Sequence, residues 1–142
     1  MVKIEESVMI NRPLDEVWKF VSDISKVPKW NTLVQEARQT STGPVGVGTT
    51  FRIRSSNMVA DVRVIEYEPN RKLTDESTSE AIKGTIDSLS VDTVEGKTKL
   101  TRKGDMKFSG FYKLVGPFMT PRMKSAFVAS LGNIKRILES EA

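Results

Sequence analysis

Histidine and cysteine are both absent from this 142-residue chain. The side chain best suited to proton transfer near neutral pH is therefore missing, and so are the thiolate nucleophile and the commonest metal ligands. No carboxylate cluster has metal-ligand spacing, so neither a metal nor another cofactor is expected. Acid–base chemistry would fall to Asp, Glu, Lys, Arg, Tyr, Ser or Thr, which weighs against an enzyme without excluding one. One carboxylate stands out. Asp87 shares the parity of Leu89 and Val91 in a strand-like run. In a regular strand it points inward, where burial raises a carboxyl pKa and suits it to general acid or base work. A β-bulge near Ser88 would instead return Ile86 to the core and Asp87 to water, and of the two this is the expected arrangement. Tyr67 and Tyr112 offer phenols that nothing ranks above ordinary tyrosines. The loop GPVGVG (Gly43 to Gly48) lacks the Lys-Ser/Thr ending and strand-to-helix setting of a phosphate loop. It reads as a hairpin loop over the mouth of a cavity.

The elements that must carry these residues follow from periodicity. Val2, Ile4, Val8 and Ile10 share one parity, interrupted by Glu6, and mark a half-buried first strand. Leu14, Val17, Trp18 and Val21 recur at helical spacing behind Pro13, so a short helix covers Leu14 to Ser22. A second short helical piece runs from Ile24 to Val27, ended by Pro28 and followed by Trp30. Strands then cover Leu33 to Thr40, Thr49 to Ser55 and Val59 to Tyr67. Lys72 to Ser79 is polar and reads as a weaker, exposed strand. Ala81 to Val94 and Lys97 to Phe108 form a hairpin around Glu95-Gly96. Met119, Met123, Phe127, Leu131, Ile134 and Leu138 then step by three or four, predicting a helix from about Phe118 to Glu139. Its start is open between Pro117 and Pro121, with Thr120 a candidate N-cap for the later one.

Antiparallel hairpins with helices on one face make an α+β domain. At 142 residues, 38% hydrophobic and 28% charged, the chain is long enough for one core without disulfides. It is expected to be a single domain over 1–142. No apolar run approaches the ~20 residues of a membrane span, and no signal-peptide pattern opens the chain. A cytoplasmic location follows as the expectation. Net charge is +4, with bases and acids interleaved. The tightest basic cluster (Lys97, Lys99, Arg102, Lys103, Lys107) reads as a solvated strand face rather than a nucleic-acid or phospholipid patch.

The order of elements resembles the START-like (SRPBCC, helix-grip) superfamily, and within it the small polyketide cyclase/dehydrase-like proteins. The residues carrying the likeness are RPLDEVWKFVSD (Arg12 to Asp23), Trp30, PVGVGTTF (Pro44 to Phe51), VIEYEPNRKL (Val64 to Leu73), VEGKTKLT (Val94 to Thr101) and LGNIKRILE (Leu131 to Glu139). The resemblance implies a helix-grip fold: a seven-stranded curved antiparallel sheet around a long C-terminal helix, with two short helices after the first strand. It also implies a ligand cavity between sheet and helix.

One helix leaves part of a seven-stranded concave face uncovered. Phe51, Ile53, Val62, Val64, Leu89, Val91 and Leu100 have the inward parity, while Arg52, Arg54, Asp61 and Arg63 have the outward one. The expected ligand-binding residues are Trp30, Phe51, Ile53, Leu89, Met119, Met123 and Phe127. Trp30 either walls the ligand or caps the core beside Trp18. Met123 and Phe127 either face the ligand or fill core. The expected function is binding or transport of a small hydrophobic molecule of lipid, polyketide or isoprenoid type, by a monomer or weak homodimer. The alternatives are a cyclase or dehydratase using the same cavity, and a co-chaperone or assembly factor acting through the sheet surface.

Overall fold

The computed structural model describes residues 2–56, 58–79, 84–106 and 112–140. The chain forms β1 (Val2–Ile10), α1 (Leu14–Val21), a 3-10 turn (Ile24–Lys26) and α2 (Val27–Trp30). There follow β2 (Glu36–Gln39), β3 (Thr50–Ser55), β4 (Met58–Glu68), β5 (Lys72–Thr78), β6 (Thr85–Val94), β7 (Lys97–Met106) and α3 (Tyr112–Ser140). All seven strands join one antiparallel sheet in the order β1-β7-β6-β5-β4-β3-β2. The sheet is curved, and α3 lies against β1 and β7.

The alternation in the sequence becomes two chemically distinct faces. Phe51, Val62, Val64, Leu73, Leu89, Val91 and Leu100 are buried on the concave side. They pack with Val17, Trp18 and Val21 of α1 and with Leu131, Ile134 and Leu138 of α3. Asp15 and Glu16 sit in the first turn of α1, where the helix dipole favours acids. Asp23 then accepts a hydrogen bond from the Ser25 N–H at 3.1 Å and starts the 3-10 turn. Glu95 and Gly96 take positive φ (51° and 81°) in the two-residue turn of the β6–β7 hairpin.

Five sequence expectations change. Pro28 does not end a helix but sits in the first turn of α2, where its missing N–H costs nothing. β2 is shorter than the run Leu33 to Thr40 suggested. β5 is not an exposed strand but the central one of the seven, with Leu73 and Thr74 buried. α3 begins at Tyr112, so Pro117, Thr120 and Pro121 lie inside it. Proline removes a single N–H, and the rest of the helical ladder runs past it, so neither proline marks the start. The bulge expected near Ser88 is absent: β6 keeps continuous register with β5 and β7. The irregularity falls instead between Val64 and Glu66 of β4, which turns Tyr67 to the concave side, toward Trp18. Residues 81–83, Lys107 and Phe108 lie outside the described residues.

Candidate functional site

The 3-10 turn, α2 and the segment after it cross the concave face at the β3–β4–β5 side and leave a hollow of about 200 Å³ beneath them. Val21, Ile24, Val27, Trp30 and Val34 form its roof, and Ile53, Val62, Leu73 and Leu89 form its floor. Among the described residues, the charged ones in its lining are Asp75, Asp87 and Arg102.

These three meet because of strand register. A row crosses the sheet through Ile4, Gly104, Asp87, Asp75 and Val64, each opposite the next on a neighbouring strand. With no bulge in β6, Asp87 faces the hollow, as the parity of Leu89 and Val91 requires. Asp75 stands directly opposite it on β5. Arg102 lies two residues from Gly104 on β7 and reaches Asp87 diagonally. Its Nη2 donates to Asp87 Oδ2 at 2.7 Å and its Nε to both carboxylate oxygens at 3.3 Å. Its Nη1 donates to Ser130 Oγ at 3.0 Å, and that hydroxyl donates to the Phe127 carbonyl at 2.9 Å. The guanidinium also stacks on the Phe127 ring, 3.9 Å from its centroid, and sits 5.6 Å from that of Trp30. Gly104 permits this stack, because a Cβ there would stand 2.7 Å from Phe127 Cζ.

One guanidinium therefore serves two facing carboxyls, and it is committed to Asp87. Burial first, and the Asp87 charge second, push the Asp75 carboxyl well above the usual carboxylate range, with Arg102 only partly offsetting them. The Trp30 indole Nε1 is also buried and has no hydrogen-bond partner among the described residues, while the Trp30 carbonyl accepts from Asn133 Nδ2 of α3 at 3.1 Å.

The predicted ligand-binding residues divide into groups. Trp30, Ile53 and Leu89 line the hollow together. Phe51 is 2% exposed and sits in the main core. Met123 and Phe127 belong to a separate cluster with Ile4 and Met106, and Phe127 reaches the site only through Arg102. The Met119 and Tyr112 side chains lie outside the described residues. Sequence reasoning missed Asp75, Arg102 and Ser130. It placed Arg102 on a solvated basic face, whereas Arg102 is buried, and Lys97, Lys99 and Lys103 alone of the described cluster are exposed. The available signal was parity: Arg102 alternates with Leu100, and Asp75 with Leu73. Among the described residues no group of acids could hold a metal ion, and no helix is long and apolar enough to cross a membrane.

The profile of the family described as polyketide cyclase/dehydrase and lipid transport matches residues 1–139. The chain belongs to this family. Solved structures agree on its START-like, helix-grip fold. The protein XoxI from Bacillus cereus superposes with a TM-score of 0.80 at 12% identity, over 100% of this chain and 99% of that one. The di-domain aromatase/cyclase BexL from the BE-7585A biosynthetic pathway gives 0.77 at 15% identity, over 98% of this chain and 47% of BexL. DynU16, from the dynemicin biosynthetic locus, gives 0.74 at 18% identity, over 98% of this chain and 48% of that one. The chain thus spans about half the length of the last two. No curated protein sequence matches it. The family and its fold give a polyketide cyclase/dehydrase-like, ligand-binding architecture.

Proposed function

We propose that the chain is a single ligand-binding domain that holds a small hydrophobic molecule between its sheet and helices. The observation that carries this reading is the hollow of about 200 Å³, apolar in roof and floor and polar along one wall. Such a site draws its affinity from apolar burial, at roughly 25 cal/mol per Å², and its orientation from a few polar groups. Trp30, Ile53 and Leu89 are its contact residues in this proposal, and the chain acts as a carrier or sink. Calorimetric titration with ethylbenzene tests it. Ile53→Glu should abolish uptake while Arg52→Ala, on the opposite face, leaves it unchanged. Equal behaviour of the two variants, or no uptake by the unaltered chain, defeats the reading.

One observation favours cyclase or dehydratase chemistry as the second reading. The raised Asp75 carboxyl is protonated at higher pH than an ordinary carboxyl, and a proton donor beside a bound carbonyl is what aldol-type closure and dehydration need. That reading requires turnover that Asp75→Asn removes while binding persists. The sheet's convex face carries ion pairs such as Arg52–Asp61 and Arg54–Glu36 around the exposed Val59 and Ile65, and the co-chaperone alternative would have to work through that mixed surface.

A further inference from the structure

The charges around the hollow do not balance, and the imbalance identifies a ligand class. Among the described residues, the charged or titratable groups on the concave side are few. Asp75, Asp87 and Arg102 line the hollow. Glu6 of β1 lies opposite Arg102 in register, but its carboxylate pairs with Lys124 of α3 at 3.7 Å. Tyr67 of β4 packs on Trp18, the ring centroids 5.9 Å apart. The lining from α1, the 3-10 turn, α2 and β3 contributes no ionisable group. Each nitrogen of Arg102 is engaged by Asp87 or Ser130. Among the described residues, the wall therefore holds one carboxyl more than it has cations, and none of them donates a hydrogen bond to that carboxyl, Asp75.

An anionic ligand would meet two carboxyls and a guanidinium already neutralised. A cationic ligand would need Asp75 ionised next to Asp87. An uncharged acceptor needs neither, because a protonated carboxyl is a donor. Size sets the rest: a cavity of about 150 Å³ holds benzene, so about 200 Å³ suits one substituted ring.

We propose that the hollow takes an uncharged molecule of about one ring, whose carbonyl-type oxygen accepts a hydrogen bond from the carboxyl of Asp75. This rests on the hydrophobic-ligand reading above and specifies its ligand. The test compares acetophenone with ethylbenzene, which have the same shape with and without the oxygen, and adds benzylamine and benzoate as charged analogues. Acetophenone should bind roughly three- to tenfold tighter than ethylbenzene. The margin should shrink as pH rises through the titration of Asp75, because a carboxylate cannot donate. Asp75→Asn should keep the margin and make it pH-independent, since the amide still donates, whereas Asp75→Leu should erase it. The proposal is overturned if the two neutral ligands bind alike at every pH, or if the margin survives in Asp75→Leu. Benzylamine binding best, and gaining with pH, would overturn it too and assign the carboxylate to a cation. The unaltered chain's pH profile decides the matter even if a variant fails to fold. If ethylbenzene itself does not bind, the hydrophobic-ligand reading falls; if it binds but the oxygen adds nothing, only the present inference falls.

Discussion

The two faces of the sheet use the same charged residue types to opposite ends. On the convex face, Arg52 pairs with Asp61 at 3.1 Å, Arg54 with Glu36 at 3.3 Å and Lys103 with Glu5 at 3.2 Å, all with side chains more than half exposed. On the concave face, Arg102 and Asp87 pair at 2.7 Å with side chains 11% and 25% exposed, against an aromatic ring and a buried hydroxyl. Water screens the first set, so each pair contributes about 0–1 kcal/mol. The second has little water to fall back on, and removing either partner leaves a charge stranded. Position relative to the pleat, not residue type, decides which arginine is decoration and which organises a site.

Breaking the inner pair should give the largest effect. Arg102→Leu leaves Asp87 without its cation and beside Asp75, and should destabilise the chain by about 3–5 kcal/mol in urea unfolding. Arg102→Leu combined with Asp87→Leu should recover most of that loss. A single variant as stable as the unaltered chain would show that the pair is not buried in solution.

The next effect separates the faces by the sign of their pH dependence. Asp75 is held above its ordinary value, so the folded chain binds that proton more tightly than the unfolded chain does. Its contribution is complete below the ordinary carboxylate range and is lost as pH rises through the raised value. The lowered carboxyls Glu66, bonded by Thr74 and Lys72, and Glu139, bonded by the Asn11 N–H and Lys135, run the other way and lose their contribution as pH falls. Asp75→Asn should therefore gain stability relative to the unaltered chain as pH rises. Melting curves across pH check it, and a constant difference between the two proteins would contradict it.

The smallest effect is expected outside. Arg52→Ala or Arg54→Ala should change stability by under about 1 kcal/mol, less in high salt, as guanidinium titrations at two ionic strengths would show. A loss comparable to that of Arg102→Leu would erase the contrast between the faces.

Much of this contrast was legible beforehand. The outward parity of Arg52, Arg54 and Asp61 and the inward parity of Phe51, Ile53, Leu89 and Leu100 follow from strict alternation along regular strands, and the observed burial agrees. The family likeness and the order of elements reached the fold for the same reason: period and turn chemistry are local. The site was harder. Arg102 and Asp75 obey the same parity rule as their apolar neighbours, but a charge in an alternating strand ordinarily means solvent, so composition overrode position.

By itself the sequence determined the alternation, the turn at Glu95-Gly96, the long apolar stripe and the absence of histidine and cysteine. Only the tertiary structure decided that β6 carries no bulge, that the irregularity lies at Val64/Glu66, and that β5 is central rather than exposed. Register between strands is set by packing across the whole sheet, and a slip of one residue flips every side chain to the other face. Whether Asp75, Asp87 and Arg102 meet in the hollow or point into water is therefore a property of the assembled sheet, which no single strand encodes.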